Sequence, residues 1–587
     1  RSNYLCPRRV EMMRHFGPRD ADELRTLAKV LVWQLESDSG DRNEINLTRP
    51  AEKDAWMRLS AEDDACTAEN CAGRMGGACP FYRAKQAALN AHILIVNHAL
   101  LLSDVATGSR VLPDYQYLIV DEAHHLEAAT TNALSFRFTQ TDMERMLREM
   151  GGPTTGILGS LLSITRNLIR PSDFAQLSQL VHRAADLGFR LDSMAKDFFF
   201  ALGEFIKFQR EGQPQSMYSI QVRILPATRT QMGWDNIEIA WESAGETLRL
   251  LINNLSEVYK AITEIYADGN PEVEDALGSL SNLYRRMTEA EANISAMIHE
   301  PAPNLVYWIE VNAGNNRLAL NAAPLRVGPL IQKYLWHEKS SVILTSATLT
   351  THGEFDYIRN ALSADEADTL MLGSPFDYES AALLYIPRDM PEPTNRDYES
   401  AINRTLIQLC AAVGGRTLVL FTSYAHLKRT AQAISGPLAE YDVTVYEQGE
   451  GASANALLDA FKTTERAVLL GTRSFWEGVD VPGESLQVVV ITKLPFDVPS
   501  DPLVAARSET FEDPFGEYQI PEAILRFRQG FGRLIRSAQD RGVVAVLDKR
   551  VLTKAYGNLF LQSLPQCTVR QGSLGDLPKL AARWLNL

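Results

Sequence analysis

Tyr117-Leu118-Ile119-Val120-Asp121-Glu122-Ala123-His124 is an aliphatic run that closes on two acids and a histidine. Four consecutive apolar residues fit a short parallel strand covered on both faces. The acids then stand at its carboxyl end. Nucleotide-hydrolysing enzymes use a strand ending in paired carboxylates to hold Mg²⁺ and aim a water at a terminal phosphate. On that reading Asp121 binds Mg²⁺, Glu122 orients and deprotonates the water, and His124 hydrogen-bonds toward a second domain. A polar strand end without chemistry is the bland alternative, and it loses ground because further motifs follow in order. One partner is missing: no G-x-x-x-x-G-K-[ST] loop and no Gly-Lys dipeptide occurs in the 587 residues.

Outward from this strand, 92–96 (His-Ile-Leu-Ile-Val) reads as a second buried strand of the same α/β domain. From about 130 to 300 the texture turns helical: 174–208 and 244–266 carry apolar residues at i, i+3, i+4 and i+7. A small β element is expected near 219–226, and 306–311 returns the chain to a sheet. The strand 341–344 runs into Thr345-Ser346-Ala347-Thr348. After Pro375 a second α/β alternation places strands at 417–421, 443–446, 467–470, 486–491 and 543–547. Helical stretches separate them, which implies a mostly parallel sheet with right-handed crossovers.

The bulk numbers set wide bounds. Hydrophobic content of 45% and charged content of 22% are those of an ordinary globular protein with large cores. The net charge of −15 argues against a wholly basic nucleic-acid binder, but a local basic groove suffices for binding. No apolar run reaches the ~18 residues of a membrane span. The sequence begins at Arg1 rather than Met, which reads as a piece of a longer protein or a processed form.

Four further groups carry chemistry. Small hydroxyl residues at Thr345, Ser346 and Thr348, flanking Ala347, suit short hydrogen bonds that link two sites; a Ser/Thr helix cap is the plain alternative. In Gln529-Gly530-Phe531-Gly532-Arg533-Leu534-Ile535-Arg536 the glycines are expected to open a helix and admit a phosphate. Arg533 and Arg536, spaced i, i+3, would then share a helix face and stabilise a phosphoryl transition state. The run 471–483 holds Thr472, Arg473, Phe475, Trp476, Gly478 and Asp480, which suit phosphate, Mg²⁺ or a nucleic-acid backbone. Phe475 and Trp476 either stack a base or belong to the core. Finally, Cys6, Cys66, Cys71 and Cys79 offer four thiolates for zinc or an iron–sulfur cluster in a reducing cytoplasm. Cys410 and Cys567 sit in apolar surroundings and read as buried and inert.

Taken in order, these motifs resemble the superfamily 2 DNA helicases of the XPD/DinG type, the bacterial DinG-like branch most of all. The resemblance rests on Tyr4-Leu5-Cys6-Pro7-Arg8-Arg9, the three cysteines before Pro80-Phe81, Asn97-His98-Ala99-Leu100, the Asp121–His124 tetrad, the Thr345–Thr348 segment, Trp476-Glu477-Gly478-Val479-Asp480 and the 529–536 motif. It implies an α/β fold of two RecA-like parallel-sheet motor domains, the first incomplete, with an iron–sulfur insertion and a helical arch insertion. The implied boundaries are 1–83 for the cluster domain, 84–130 and 311–374 for the first motor, 131–310 for the arch and 375–587 for the second motor.

The resemblance further implies ATP-dependent 5′→3′ unwinding of DNA with ATP and Mg²⁺, and a [4Fe-4S] cluster on Cys6, Cys66, Cys71 and Cys79. Asp121, Glu122, His124, Gln529, Arg533 and Arg536 become catalytic; Gly478, Asp480, Gly530 and Gly532 line the nucleotide. Thr345–Thr348 couple nucleotide to strand, while Thr472, Arg473, Phe475 and Trp476 meet nucleic acid. Single-stranded and forked DNA is the expected partner of a monomer working at the bacterial nucleoid, away from membranes. Rival readings are an ATPase-inactive DNA-binding derivative and an iron–sulfur redox sensor. The family places its phosphate loop upstream of the first cysteine. The polypeptide of this sequence is therefore expected to hydrolyse ATP poorly or not at all, and normal DNA-stimulated turnover in a steady-state assay would refute that.

Overall fold

In chain order the strands are β1 (Tyr117–Val120), β2 (Phe136–Thr139), β3 (Ile220–Arg223), β4 (Leu305–Val311), β5 (Leu318–Pro324), β6 (Ser341–Leu344), β7 (Ala382–Pro387), β8 (Thr417–Leu420), β9 (Thr444–Glu447), β10 (Ala467–Gly471), β11 (Val488–Ile491), β12 (Gly542–Val546) and β13 (Thr568–Gly572). The computed structural model describes the chain except residues 1, 19, 48, 62–78, 107–110, 211–218, 266–270, 315, 352, 450–452, 477–480 and 482. Two compact units emerge: Arg1–Tyr115 with Ala129–Leu325, and Gln116–Ala128 with Arg326–Leu587. Among the described residues no helix is long and apolar enough to cross a membrane.

The first unit is organised by the helices Pro171–Gln209, Trp234–Ile265 and Pro271–Ile298. The first of these has 39 residues and is about 58 Å long at ~1.5 Å per residue. Its apolar stripe explains its length, because packing rather than propensity stabilises helices in proteins. Leu177, Val181, Ala184, Leu191, Phe198 and Leu202 recur at helical spacing and are buried. Phe198 meets Trp241 at 5.0 Å and Phe205 meets Trp234 at 5.4 Å between ring centres. The Trp241 indole N–H is satisfied by Ser295 Oγ at 3.0 Å.

The same unit contains an antiparallel sheet of order β2-β5-β4-β3. Only parts of it were expected from the sequence. β5 is Leu-Ala-Leu-Asn-Ala-Ala-Pro, with no β-branched residue to announce a strand. Because β5 pairs with both β2 and β4, the unit runs past residue 310 to Leu325. The cysteine-bearing N-terminal segment has its own small core of Leu5, Val10, Leu27, Val30, Trp56 and Leu59.

One expected strand is absent. Residues 92–96 have no ladder partner among the described residues, and Ile93 and Ile95 are exposed. A continuous apolar run specifies burial only where neighbours exist to cover it.

The second unit is built on a seven-stranded sheet of order β13-β7-β12-β11-β8-β10-β9, parallel at every pairing. Its five inner strands are buried on both faces, which explains the unbroken runs Val488–Ile491 and Thr417–Leu420. Beyond β8 the chain proceeds to β9 and β10 on one side, and after β11 it proceeds to β12 on the other. The neighbours β8 and β11 therefore flank the point where winding reverses, outside whose carboxyl ends ligands bind in such sheets. At that edge the Tyr398 hydroxyl donates to the Thr492 and Leu547 carbonyls, which follow β11 and β12.

β1 and β6 form a separate two-stranded parallel sheet in register Tyr117↔Ser341 to Val120↔Leu344. Here the expectation of a strand covered on both faces fails. Tyr117 is 78% exposed and Ile119 69% exposed. The alternation arises because no layer covers that face among the described residues.

Tyr398→Phe removes a buried donor shared by two carbonyls. It is expected to lower unfolding free energy by about 1–3 kcal/mol, read from the denaturant midpoint at unchanged slope.

Candidate active site

β1 delivers Asp121 and Glu122 to its carboxyl end, where the backbone turns sharply. Glu122 sits at φ 49°, ψ 42°, in the left-handed region. A non-glycine residue held there costs about 1–3 kcal/mol, and such strain gathers at functional sites. Two backbone bonds to the neighbouring strand end hold the turn: Thr345 N–H donates to Val120 O at 2.9 Å, and Ala123 N–H donates to Thr345 O at 3.0 Å. Asp121 Oδ1 accepts the Glu122 N–H at 3.0 Å. The Glu122 side chain stays open to solvent at 60% accessibility.

The hydroxyl of Ser346 joins the two strand ends. It lies 2.7 Å from His124 Nδ1 and donates to Glu122 Oε2 at 3.3 Å. The same oxygen accepts the Thr348 N–H at 3.1 Å and lies 3.4 Å from Thr348 Oγ1. His124 Nδ1 is 3.3 Å from Glu122 Oε2. Thr345, Ser346, Ala347 and Thr348 thus lie against the acid pair.

An arginine that the sequence reading passed over extends this chain of contacts. Arg528 Nη2 donates to Ala347 O at 3.2 Å. Its Nη1 donates to Thr350 O at 2.5 Å and to Thr350 Oγ1 at 3.1 Å. Burial holds its pKa below the ordinary arginine value. The signal was available: Arg528 directly precedes Gln529 on the helix Ile520–Phe531.

That helix corrects the expectation for the glycine motif. The motif closes the helix instead of opening one: Gln529, Gly530 and Phe531 form its last turn and Gly532 its C-cap. Arg533 and Arg536 follow in a turn, so they do not share a helix face. Gly530 is required by packing. A Cβ there would lie 2.9 Å from the Trp476 ring and 3.2 Å from Leu420 Cδ1. Gly530 and Gly532 therefore serve the helix end, and neither opens a phosphate cradle at a helix start. Arg533 Nε donates to Trp476 O at 3.0 Å, and the loop carrying Arg536 is pinned by Asp540, which accepts from the Arg536 and Ser537 N–H groups. Gln529 is buried, and its Oε1 has no hydrogen-bond partner among the described residues. A buried acceptor left unsatisfied calls for a ligand or a water.

Phe475 and Trp476 are interior residues, and the stacking reading is withdrawn. Trp476 Nε1 donates to Phe421 O at 3.2 Å, which fixes its ring in the sheet's core. Thr472 is bound through both N–H and Oγ1 to Gln448 Oε1, each at 2.8 Å. Gln448 was missed, although a polar residue just after β9 is a recognisable strand-end position. Arg473 remains exposed, 4.0 Å from Asp497. Gly478 and Asp480 lie outside the described residues.

Of the four cysteines, Cys66 and Cys71 also lie outside the described residues. Cys6 and Cys79 are N-caps of the helices Pro7–Phe16 and Pro80–Asn90. Tyr4 and Phe81 bring those segments together, ring centres 5.8 Å apart. Two thiols at adjacent helix starts suit an anionic metal–sulfur group. Among the described residues no three His, Cys, Asp or Glu side chains are grouped as a metal site would need.

Two family models match the chain: a helicase C-terminal domain over 406–567 and DEAD_2 over 55–143. A Bacillus subtilis protein named 3′-5′ exonuclease DinG is 31% identical, aligned over 99% of this chain and 62% of its own length. The chain thus spans less than two thirds of that relative. Escherichia coli ATP-dependent DNA helicase YoaA is 30% identical over 96% of this chain and 81% of its own. A solved XPD helicase aligns with 85% of this chain and 76% of its own at TM-score 0.49 and 15% identity, a likeness too loose to argue from.

Gly530→Ala is expected to lower the melting temperature measurably, because the methyl group must displace a buried indole; such overpacking costs about 1–3 kcal/mol. An unchanged melting temperature would show that the ring yields freely.

Proposed function

This chain belongs to the family of DinG- and YoaA-type helicases, and from that premise we propose that it couples ATP hydrolysis to 5′→3′ separation of DNA strands. Residues 116–128 and 326–374 act in the first motor and 375–587 as the second, with 1–83 as cluster domain and 131–325 as arch, since β5 pairs with β2 and β4. Asp121 holds Mg²⁺, which when bound neutralises charge on the phosphates. Glu122 orients and deprotonates the attacking water. Gln529, with its unsatisfied Oε1, positions that water or the terminal phosphate. Arg533 and Arg536 stabilise the charge that develops on the transferred phosphoryl group.

The observation that carries this reading is the Ser346 hydroxyl, shared between His124 and Glu122. A change at the nucleotide acids is felt at once by the Thr345–Thr348 segment. Through the Ala347 and Thr350 carbonyls it reaches Arg528 and the helix that ends in Gln529.

The exposed apolar face of β1 would let further strands or helices cover the two-stranded sheet of the first motor. Cys6, Cys66, Cys71 and Cys79 hold a [4Fe-4S] cluster that braces the N-terminal segment. Single-stranded and forked DNA is the substrate of a monomeric enzyme at the nucleoid.

The test uses the full-length parent protein with forked DNA bearing 5′ or 3′ tails. Arg533→Ala is expected to lower DNA-stimulated turnover by about 10³–10⁵-fold, as loss of such an arginine does elsewhere. Ser346→Ala is expected to spare hydrolysis far more than unwinding. Unchanged turnover in Arg533→Ala, or unwinding only from 3′ tails, would overturn the proposal.

A further inference from the structure

A group of buried ionisable side chains lies just beyond the acid pair. Glu127, on the helix Leu126–Ala133, is 17% accessible, and its Oε1 accepts from Arg507 Nη1 at 2.9 Å. Arg507, in the last turn of the helix Pro502–Ser508, is as buried and also hydrogen-bonds Tyr518. Beside them Glu522 opens the helix Ile520–Phe531. Its Oε1 accepts from the Tyr357 hydroxyl at 2.7 Å and its Oε2 from Arg526 Nη2 at 3.1 Å. Arg526 grips Asp497 with both terminal nitrogens, at 2.6 and 2.7 Å.

Three carboxylates thus face two guanidiniums, with exposed Arg473 at the margin. Burial pushes Glu127 up to about 7; Arg507 and Arg526 oppose the rise and Glu522 adds to it. Burial, then Glu522 and Glu127, hold the Tyr357 phenol well above its ordinary range, so it remains a donor.

Buried ion pairs add little net stability over apolar contacts, yet breaking one by removing a partner is costly. Their value lies in fixing one arrangement, and the arrangement here is specific. Glu127 is on the helix that follows the acid pair. Tyr357 is on the helix Asp356–Leu362, which follows the Thr345–Thr350 segment. Glu522 and Arg526 share a helix with Arg528 and Gln529.

We propose that Glu127 is a positioning residue for ATP hydrolysis: through Arg507 and Glu522 it locks the helix behind the acid pair to the helix that ends in Gln529. The proposal rests on the helicase reading above. Ionised Glu127 holds the lock; Arg507 lowers the Glu127 pKa against burial, so a loosened state that keeps the carboxyl buried but gives up Arg507 takes up a proton, and protonation favours loosening. The sign for folding is separate. A carboxyl whose folded pKa lies above its ordinary 4.5 takes up a proton on folding, so its contribution to stability falls as pH rises from 4.5 to about 7.

Three readings on the full chain and its parent decide the matter, with Glu127→Gln as an isosteric variant and Arg507→Lys as a charge-conserving one. The first is hydrogen exchange in 121–126 and 527–533 at about pH 6 and about pH 8, corrected for intrinsic rates. Wild type is expected to be better protected at the higher pH, and Glu127→Gln equally loose at both. The second is melting temperature: the difference between wild type and Glu127→Gln should shift steadily between about pH 5 and pH 7. The third is ATP turnover by the parent. Glu127→Gln should lower kcat about tenfold at the higher pH, equivalent to a coupling of about 1.4 kcal/mol, with KM for ATP unchanged. Arg507→Lys should retain most of the wild-type rate.

If Glu127→Gln keeps the wild-type exchange pattern and rate profile while wild type hydrolyses ATP, the lock is overturned and the helicase reading stands. If the wild-type parent hydrolyses no ATP, the helicase reading falls, and the exchange and melting data alone decide whether the lock exists.

Discussion

One hydroxyl sits where two strand ends meet. Ser346 Oγ reaches His124 at 2.7 Å and Glu122 at 3.3 Å, and it caps its own turn through the Thr348 N–H. The site depends on this geometry because the turn itself is strained. Glu122 holds a left-handed backbone conformation, and the bonds between Thr345, Val120 and Ala123 secure it. Such strain persists only where surrounding contacts over-determine it. The acids are therefore presented by a rigid corner while their carboxylates remain open to solvent, which is compatible with the proposed metal- and water-handling role.

The second half of the site is organised by the interior. Trp476 fills the core beneath the helix Ile520–Phe531, and the absence of a side chain at Gly530 lets the helix close over the indole. Arg533 then donates to the Trp476 carbonyl, and Asp540 pins the loop that follows. Arginines placed by a packed helix end point with less freedom than arginines on a solvated helix. Preorganisation of this kind is what stabilises charge that appears only in a transition state.

Much of this was legible in the sequence. Unbroken Val and Leu runs after Pro375 announced buried parallel strands, and β8, β10, β11 and β12 lie within a residue or two of the positions read from them. The tetrad and the hydroxyl segment were placed at strand ends because each follows an aliphatic run, and β1 and β6 do end there. The failures have physical causes. Residues 92–96 and β1 looked like covered strands, but coverage depends on neighbours the local sequence does not specify. β5 is alanine-rich and carries no β-branched signal. Glycines in 529–532 were assigned to a phosphate because local sequence does not distinguish a backbone approached by a ligand from one approached by an indole. Glu127, Arg507 and Arg528 escaped notice because charged residues on helices usually face solvent, and only the tertiary structure brings these together.

The central claim is that the carboxylates after β1 and the guanidiniums after the Gln529 turn act on one nucleotide. The direct measurement is a structure of the full-length protein bound to Mg²⁺, ADP and a metal fluoride that mimics the transferred phosphoryl group. Glu122 Oε and the Arg533 guanidinium are expected within about 3.5 Å of that group or of its attacking water. Density placing the fluoride against Asp121 and Glu122, with the Arg533 guanidinium still bound to the Trp476 carbonyl and that of Arg536 turned away, would contradict the claim.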